Sequence, residues 1–223
     1  MKKVAIILSG CGVYDGAEIH EAVLTMLAVR LAGASYRCFA PDKTQLHVIN
    51  HLTGQPQPDE TRNVLVESAR IARGDIQPLS DCHARDFDVC LVPGGFGAAK
   101  NLCSFATEGS AMSVDSEVVR VCREFSQADK PLGYACISPA MVAKIHGEGI
   151  SVTIGNDKET ALALENMGAK HVNCEVNDVV LDKAHKVVTT PAYMLATNIE
   201  QAWEGIQKWV MQVLALAEKH HTF

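Results

Sequence analysis

The sequence predicts an α/β protein with a mainly parallel central sheet, and three observations carry that expectation. Short, fully apolar runs such as Val4-Ala5-Ile6-Ile7-Leu8 recur along the chain. They alternate with segments whose apolar residues follow the helical period, the pattern of strands joined by helical crossovers. The runs also end in turn residues, most visibly Pro93-Gly94-Gly95-Phe96-Gly97. Buried parallel strands read as continuous Val/Ile/Leu stretches because both of their faces are covered.

Taken in order, Val4 to Leu8 is the first strand. A helix is expected from about Ala17 to Leu31, with Val23, Leu24, Leu27 and Leu31 on one face and Gly33 ending it. Tyr36 to Ala40 reads as the second strand, closed by Pro41-Asp42. Residues 43–87 are less regular, contain a helix from about Thr61 to Arg73, and are expected to form an insertion on one domain spanning 1–223. They hold too few apolar residues for a separate core. Asp88 to Val92 is a buried strand. A helix from about Ser116 to Gln127 leads to a strand at Leu132 to Ala135, and a further helix runs from Pro139 to about Ile145. Asp157 is placed to cap a helix reaching Met167. Val179–Leu181 and Lys186–Thr189 resemble a hairpin, and a last helix extends from about Ala196 to Glu218.

The net charge of −6 argues against nucleic acid or an anionic membrane as partner, since an acidic surface is repelled by both. The apolar run after Lys2-Lys3 is shorter than the roughly 7–15 residues of a signal core, so it reads as a strand, and a cytoplasmic location is expected. The eight cysteines (11, 38, 82, 90, 103, 122, 136 and 174) include no C-x-x-C pair, so neither a zinc site nor a dithiol redox motif is expected. Cys38, Cys90 and Cys122 lie in apolar patterns and suit the core.

Chemistry concentrates on Cys136. In Leu132-Gly133-Tyr134-Ala135-Cys136-Ile137-Ser138-Pro139 a strand turns into a helix within a few residues, and Pro139 fits the first helical turn. A cysteine at such a junction projects above the sheet edge, and the helix N-terminus favours its thiolate. This is the context of a nucleophile elbow, although Tyr134 and Ser138 stand where strict elbows carry glycine. A buried structural cysteine is the competing explanation. Gly94-Gly95 follows the neighbouring strand, so the Gly95 and Ile137 amides can together form an oxyanion hole. Glu18 and Glu21, three apart at the start of the first helix, can bring a carboxyl to the same edge. Acids there otherwise simply complement the helix dipole.

Together with the stretches at 8–22 (LSGCGVYDGAEIHEA), 38–43 (CFAPDK), 48–54 (VINHLTG), 60–71 (ETRNVLVESARI), 92–102 (VPGGFGAAKNL), 135–141 (ACISPAM) and 188–196 (VTTPAYMLA), these elements resemble the PfpI-type branch of the class I glutamine amidotransferase-like superfamily. The chain is most similar to its ElbB-type glyoxalases, also described as sigma cross-reacting proteins. The resemblance implies a flavodoxin-like three-layer sandwich, assembled as a homodimer. It also implies an elbow cysteine that attacks a carbonyl, a helix-one glutamate that moves the proton, and backbone amides that hold the oxygen. Cys136 takes the first role. Glu21 takes the second when the helix is counted back without gaps from Ala32-Gly33, with Glu18 the lower-weight candidate. True glutamine amidotransferases carry a His–Glu pair late in the domain, whereas Thr189 to Met194 here contain no histidine. His146, His171 and His185 are expected at the surface.

The expected activity is therefore conversion of glyoxal or similar small reactive 2-oxoaldehydes to 2-hydroxy acids through a cysteine hemithioacetal, with no cofactor, metal or glutathione. Rival readings are a redox-sensing or metabolite-binding protein with an oxidisable elbow thiol, and a deglycase or amidase. Dinucleotide binding by Gly10-Cys11-Gly12-Val13-Tyr14-Asp15-Gly16 is disfavoured, because its glycine spacing is one residue too long.

Overall fold

The computed structural model describes residues 1–217. In chain order the elements are β1 (Lys3–Ile7), α1 (Ile19–Leu31), β2 (Ser35–Ala40), β3 (Ile49–Asn50), β4 (Gln55–Pro56), α2 (Val64–Ile71), β5 (Ile76–Pro78), β6 (Val89–Val92) and α3 (Phe105–Glu108). There follow α4 (Ser116–Gln127), β7 (Leu132–Ala135), α5 (Val142–His146), β8 (Ser151–Val152), α6 (Lys158–Asn166), β9 (Lys170–His171), β10 (Val180–Asp182), β11 (Val187–Thr190) and α7 (Ile199–Leu216). Glu218, the expected end of the last helix, lies outside the described residues.

Among the described residues the main sheet has seven strands in the order β10-β11-β7-β6-β1-β2-β5. Its pairings are parallel except for the β10–β11 hairpin, where Leu181 faces Val188. The chain builds outward from β1 through β2 to β5, then returns to place β6 on the other side of β1. That reversal opens a crevice at the strand C-termini, where open α/β sheets bind ligands.

The pleat sends alternate side chains to two apolar layers. Ala5, Ile7, Cys90, Val92, Leu132 and Tyr134 pack with Val118, Val121, Cys122 and Phe125 of α4. Val4, Ile6, Val89, Leu91 and Val188 pack with Ala22, Met26 and Val29 of α1 and Trp209 and Val213 of α7. A side chain at Gly133 would come within 2.7 Å of both Leu91 and Trp209, so the bare backbone there admits the indole. Trp209 Nε1 donates to the Val188 carbonyl at 3.0 Å.

The helices begin where the sequence offers an acceptor to their free N–H groups. Asp115, Asp157 and Asn198 cap α4, α6 and α7, and Asn63 caps α2. The expected insertion over 43–87 divides into two parts. Residues 43–63 form an excursion around the β3–β4 pair, but α2 and β5 belong to the sandwich, because β5 pairs in parallel with β2 from Cys38–Ile76 to Ala40–Pro78.

The expected apolar face of the first helix needs correction. Val23, Leu27 and Leu31 are exposed at 47%, 44% and 65%. The face turned inward carries Glu21, Ala22, Thr25, Met26, Ala28 and Val29. The helix expected from Pro139 is a 3₁₀ turn over Ser138–Met141 that runs into α5.

Candidate active site

Three loops meet at the C-terminal edge of β1, β6 and β7. The backbone of residues 94–97 is stitched to the glycine loop after β1, with Phe96 N–H donating to Val13 O, Gly97 N–H to Gly16 O and Glu18 N–H to Gly94 O, all at 2.8–3.0 Å. This proximity explains the glycines. A Cβ at Gly95, whose φ is +96°, would lie 2.3 Å from the Glu18 nitrogen, and one at Gly97 would lie 2.3 Å from the Gly16 carbonyl carbon. The excursion over 43–63 braces the same loop. Ile49 N–H donates to Asp15 Oδ2 at 2.8 Å and Leu46 N–H to Asn101 Oδ1 at 2.9 Å. Asn101 Nδ2 in turn donates to the carbonyls of Ser9 and Asp15.

Cys136 follows β7 with a φ of +61°, the left-handed backbone that a sharp strand-to-helix turn imposes. A non-glycine residue holds that conformation only where its surroundings dictate it. Here Cys136 N–H donates to Thr190 O at 3.0 Å. Ser138, one of the two departures from the strict elbow pattern, has its hydroxyl within hydrogen-bond reach of Ala135 O (2.8 Å) and Val92 O (2.9 Å), tying the turn to the end of β6. Sequence reasoning gave Ser138 no such role.

Glu21 is fully buried and faces the thiol. Its Oε2 accepts from Gly94 N–H at 2.8 Å and its Oε1 from Tyr193 N–H at 3.1 Å, while the Cys136 thiol donates to the same carboxyl. A Cβ at Gly94 would stand 2.9 Å from both Sγ and Oε2, so glycine there lets the two groups meet. Glu18 has another task. It is the N-cap of α1, accepting from Glu21 N–H at 2.7 Å, and it sits at the wall of the adjoining cavity. The Gly95 and Ile137 amides, expected as a pair from the sequence, both donate toward Sγ.

The electrostatics revise the expected thiolate. Burial, then the Glu21 carboxyl, push the Cys136 thiol well above its ordinary range, against the opposing pull of the Gly95 and Ile137 amides. Burial and the charge of Glu18 likewise raise Glu21 to about 7, with the Tyr193 and Gly94 amides opposing. Burial and Glu21 thus favour the neutral thiol, beside a carboxyl that titrates near neutrality. That carboxyl can take the thiol proton when an electrophile arrives.

The pair lies beside a cavity of about 750 Å³, walled by Phe96, Phe105, Ile137 and Met194 among others. The sequence did not single out Tyr193 or Lys100, which also line it. Tyr193 supplies its amide to Glu21 and its hydroxyl to His20 Nδ1 at 2.7 Å. It follows Ala192, a buried residue with a φ of +46°. This strained turn over Pro191–Met194 occupies the region where the late histidine is missing, and from it the Tyr193 amide reaches Glu21. Lys100 Nζ donates to Tyr14 O at 2.8 Å.

The histidines divide. His185 is exposed, as expected. His171 is half-buried and accepts from Ile154 N–H at 3.2 Å. His146 is largely buried, with Nε2 2.7 Å from the Tyr134 hydroxyl and Nδ1 2.8 Å from Ser126 Oγ. Among the described residues, no helix is long and apolar enough to cross a membrane, and no three His, Cys, Asp or Glu side chains cluster to hold a metal ion.

No family model matches the chain. Glutamine amidotransferase-like class 1 domain-containing protein 3, mitochondrial, of Homo sapiens is 48% identical over 97% of this chain and 84% of its own length. The mitochondrial ES1 protein homolog of Rattus norvegicus is 46% identical over 97% and 85%. Both relatives are named as mitochondrial, unlike the cytoplasmic location expected here. Among solved structures, an isoprenoid biosynthesis protein with an amidotransferase-like domain from Ehrlichia chaffeensis superposes with a TM-score of 0.88 at 36% identity, covering 96% of this chain and 99% of that one. Glyoxalase III from Candida albicans shares the fold at a TM-score of 0.64 and 15% identity, over 97% of this chain and 98% of that one. The flavodoxin-like sandwich expected from the sequence is thus the fold of the chain, which belongs to the ES1 and glutamine amidotransferase-like class 1 domain-containing protein 3 family.

Proposed function

We propose that this protein is a cofactor-independent enzyme of the glyoxalase III type, close in kind to the ElbB-type glyoxalases, that converts 2-oxoaldehydes to 2-hydroxy acids. The observation that carries this reading is the buried pairing of the Cys136 thiol with the Glu21 carboxyl beside an open cavity, with the Gly95 and Ile137 amides aimed at the sulfur.

Glu21 accepts the thiol proton as sulfur adds to the aldehyde carbon and passes it to the developing oxyanion, giving a hemithioacetal whose oxygen is held by the Gly95 and Ile137 amides and leaving the carboxylate free. The carbon-bound proton of the former aldehyde then leaves to Glu21, giving an enediol. Its return to the neighbouring carbon leaves a thioester of the 2-hydroxy acid. Water cleaves the thioester, releasing the acid and restoring the thiol. Overall, one water is added and nothing external is oxidised or reduced. A carboxyl titrating at about 7 suits a group that must both accept and return a proton at neutral pH. Hydrolysis of glutamine fits the site poorly, because no histidine stands by to protonate an amine leaving group. A homodimer belongs to the same proposal.

The test is turnover of glyoxal and methylglyoxal without glutathione, following the hydroxy acid in wild type and in Cys136→Ala. Catalytic acid formation lost in the variant supports the reading. Stoichiometric loss of aldehyde without acid would mean only a reactive thiol.

A further inference from the structure

The cavity beside Cys136 is far larger than the smallest 2-oxoaldehyde. Its volume is about 750 Å³, within the ~300–1,000 Å³ of sites that enclose drug-sized ligands. Glyoxal has only four heavy atoms. At ~30 Å³ each, the share of a water molecule in the liquid, it would occupy roughly 120 Å³. Most of the cavity would then hold only water against apolar walls.

Those walls have a definite chemistry. Phe96 is 52% exposed, yet its backbone is pinned by the bond to Val13 O. Its ring lines the cavity outside the core, with the Tyr14 ring 6.4 Å away. Phe105, Ile137 and Met194 are partly buried and complete an apolar lining. The charged groups are committed elsewhere or stand at the mouth. Glu18 caps α1, Lys100 is tethered to Tyr14 O with its ammonium 5.5 Å from the Phe96 ring centroid, and Glu159 is exposed. With two carboxylates against one ammonium, the lining does not favour an anionic tail.

Resting on the glyoxalase reading, we infer that the cavity selects carbonyl substrates bearing an uncharged aromatic or branched apolar body, seated against Phe96 and Phe105 with the aldehyde at Cys136. Burial of that body supplies binding that glyoxal cannot reach.

The test compares kcat/KM for phenylglyoxal and glyoxal in wild type and Phe96→Ala, with Cys136→Ala subtracting uncatalysed aldehyde loss. Phe96 is half-exposed, so its truncation leaves the core intact. Wild type is expected to prefer phenylglyoxal at least ~10-fold, and Phe96→Ala to lower that preference by ~10-fold, chiefly through KM. Cysteine-dependent turnover with equal rates, or with glyoxal preferred, overturns the inference and leaves the proposed function standing. If neither aldehyde is turned over, the proposed function fails. Binding of the unreactive ketones acetophenone and acetone, read by protein NMR, then decides the inference separately. Acetophenone binding ~10-fold tighter, and weakened in Phe96→Ala, upholds it, whereas equal binding overturns it.

Discussion

β7 and its neighbours arrange two buried titratable networks that look alike and behave differently. At the sheet edge, Cys136 pairs with Glu21. In the layer against α4, Tyr134 bonds His146, and Cys122 lies against Cys90 and Tyr134. Each network contains a thiol, a second titratable group and no water-facing charge. The difference lies in access and in unmet demand. Cys136 borders a cavity and has two backbone amides directed at its sulfur, whereas Cys90 and Cys122 are enclosed among Val118, Val121, Phe125 and Leu132. Burial with a partner makes a thiol inert. Burial with a partner, a cavity and preset donors is what the proposed nucleophile requires.

The largest effect expected separates the two networks outright. Cys136→Ala should lower turnover at least ~1,000-fold, on the scale of losing an activated nucleophile, while Cys122→Ala should leave turnover within about twofold. Far-ultraviolet circular dichroism on both variants checks that the fold survives. Loss of activity in Cys122→Ala alone would move the chemistry to the α4 face.

Next in size is Glu21→Gln, which should reduce kcat by ~100- to 10,000-fold, the range for losing a positioned acid–base group. In wild type, the acid limb of the rate profile should rise through about pH 7, where Glu21 loses its proton. Glu18→Gln keeps an acceptor for the cap but removes the charge that helps to raise Glu21. The limb should therefore move to lower pH with kcat largely retained. A limb that stays fixed in Glu18→Gln would mean that burial alone sets the Glu21 titration.

The two networks also oppose each other in stability. Glu21 is raised in the fold from 4.5 to about 7, so the folded state holds the extra proton and stability falls as pH rises across that window. His146 is lowered from 6.5 to about 4 by burial, His185 and Arg123, so the unfolded state holds the extra proton and stability falls as pH drops from 6.5 toward 4. Each contribution is on the order of 3 kcal/mol at most, and the signs are opposite over the shared range. The melting temperature of wild type should therefore change little between pH 4.5 and 6.5. Glu21→Gln should expose a rise with pH and His146→Gln a fall. A variant whose curve runs parallel to wild type would remove its own network as a source, and three parallel curves would remove both.

The comparison also explains what the sequence disclosed. β1, β2, β6, β7, the elbow, the double glycine and the β10–β11 hairpin were legible because each rests on local rules: apolar runs, a strand-to-helix turn, a close backbone approach. β5, short and barely apolar, was read as part of an insertion. Helix spacing offered Glu18 and Glu21 alike, and only the resemblance chose Glu21, since the bond from Tyr193 N–H that helps to seat it comes from far along the chain. The inward face of α1 was misread for a related reason. Glu21 and Thr25 lie on that face, with Thr25 Oγ1 donating to Glu21 O, so buried polar residues break its apolar pattern while the solvent face keeps Val23, Leu27 and Leu31. His146 looked superficial because it closes a short helix before Gly147. Only the pairing of α5 with Tyr134 and Ser126 reveals that it is enclosed.

Tyr134→Phe should give the smallest effect and the cleanest contrast. It keeps the ring that packs edge-on to His146 but deletes the hydroxyl, leaving Nε2 without its 2.7 Å partner. Losing the partner of a part-buried ring nitrogen costs about 1–3 kcal/mol, read as a lower midpoint in urea with an unchanged slope. Turnover should stay within about twofold, because β7 positions Cys136 through its backbone bond to Thr190 O and through Ser138, neither of which involves the Tyr134 hydroxyl. A tenfold loss of kcat without loss of stability would show instead that the α4 layer tunes the thiol across the strand, and the two networks would then be one.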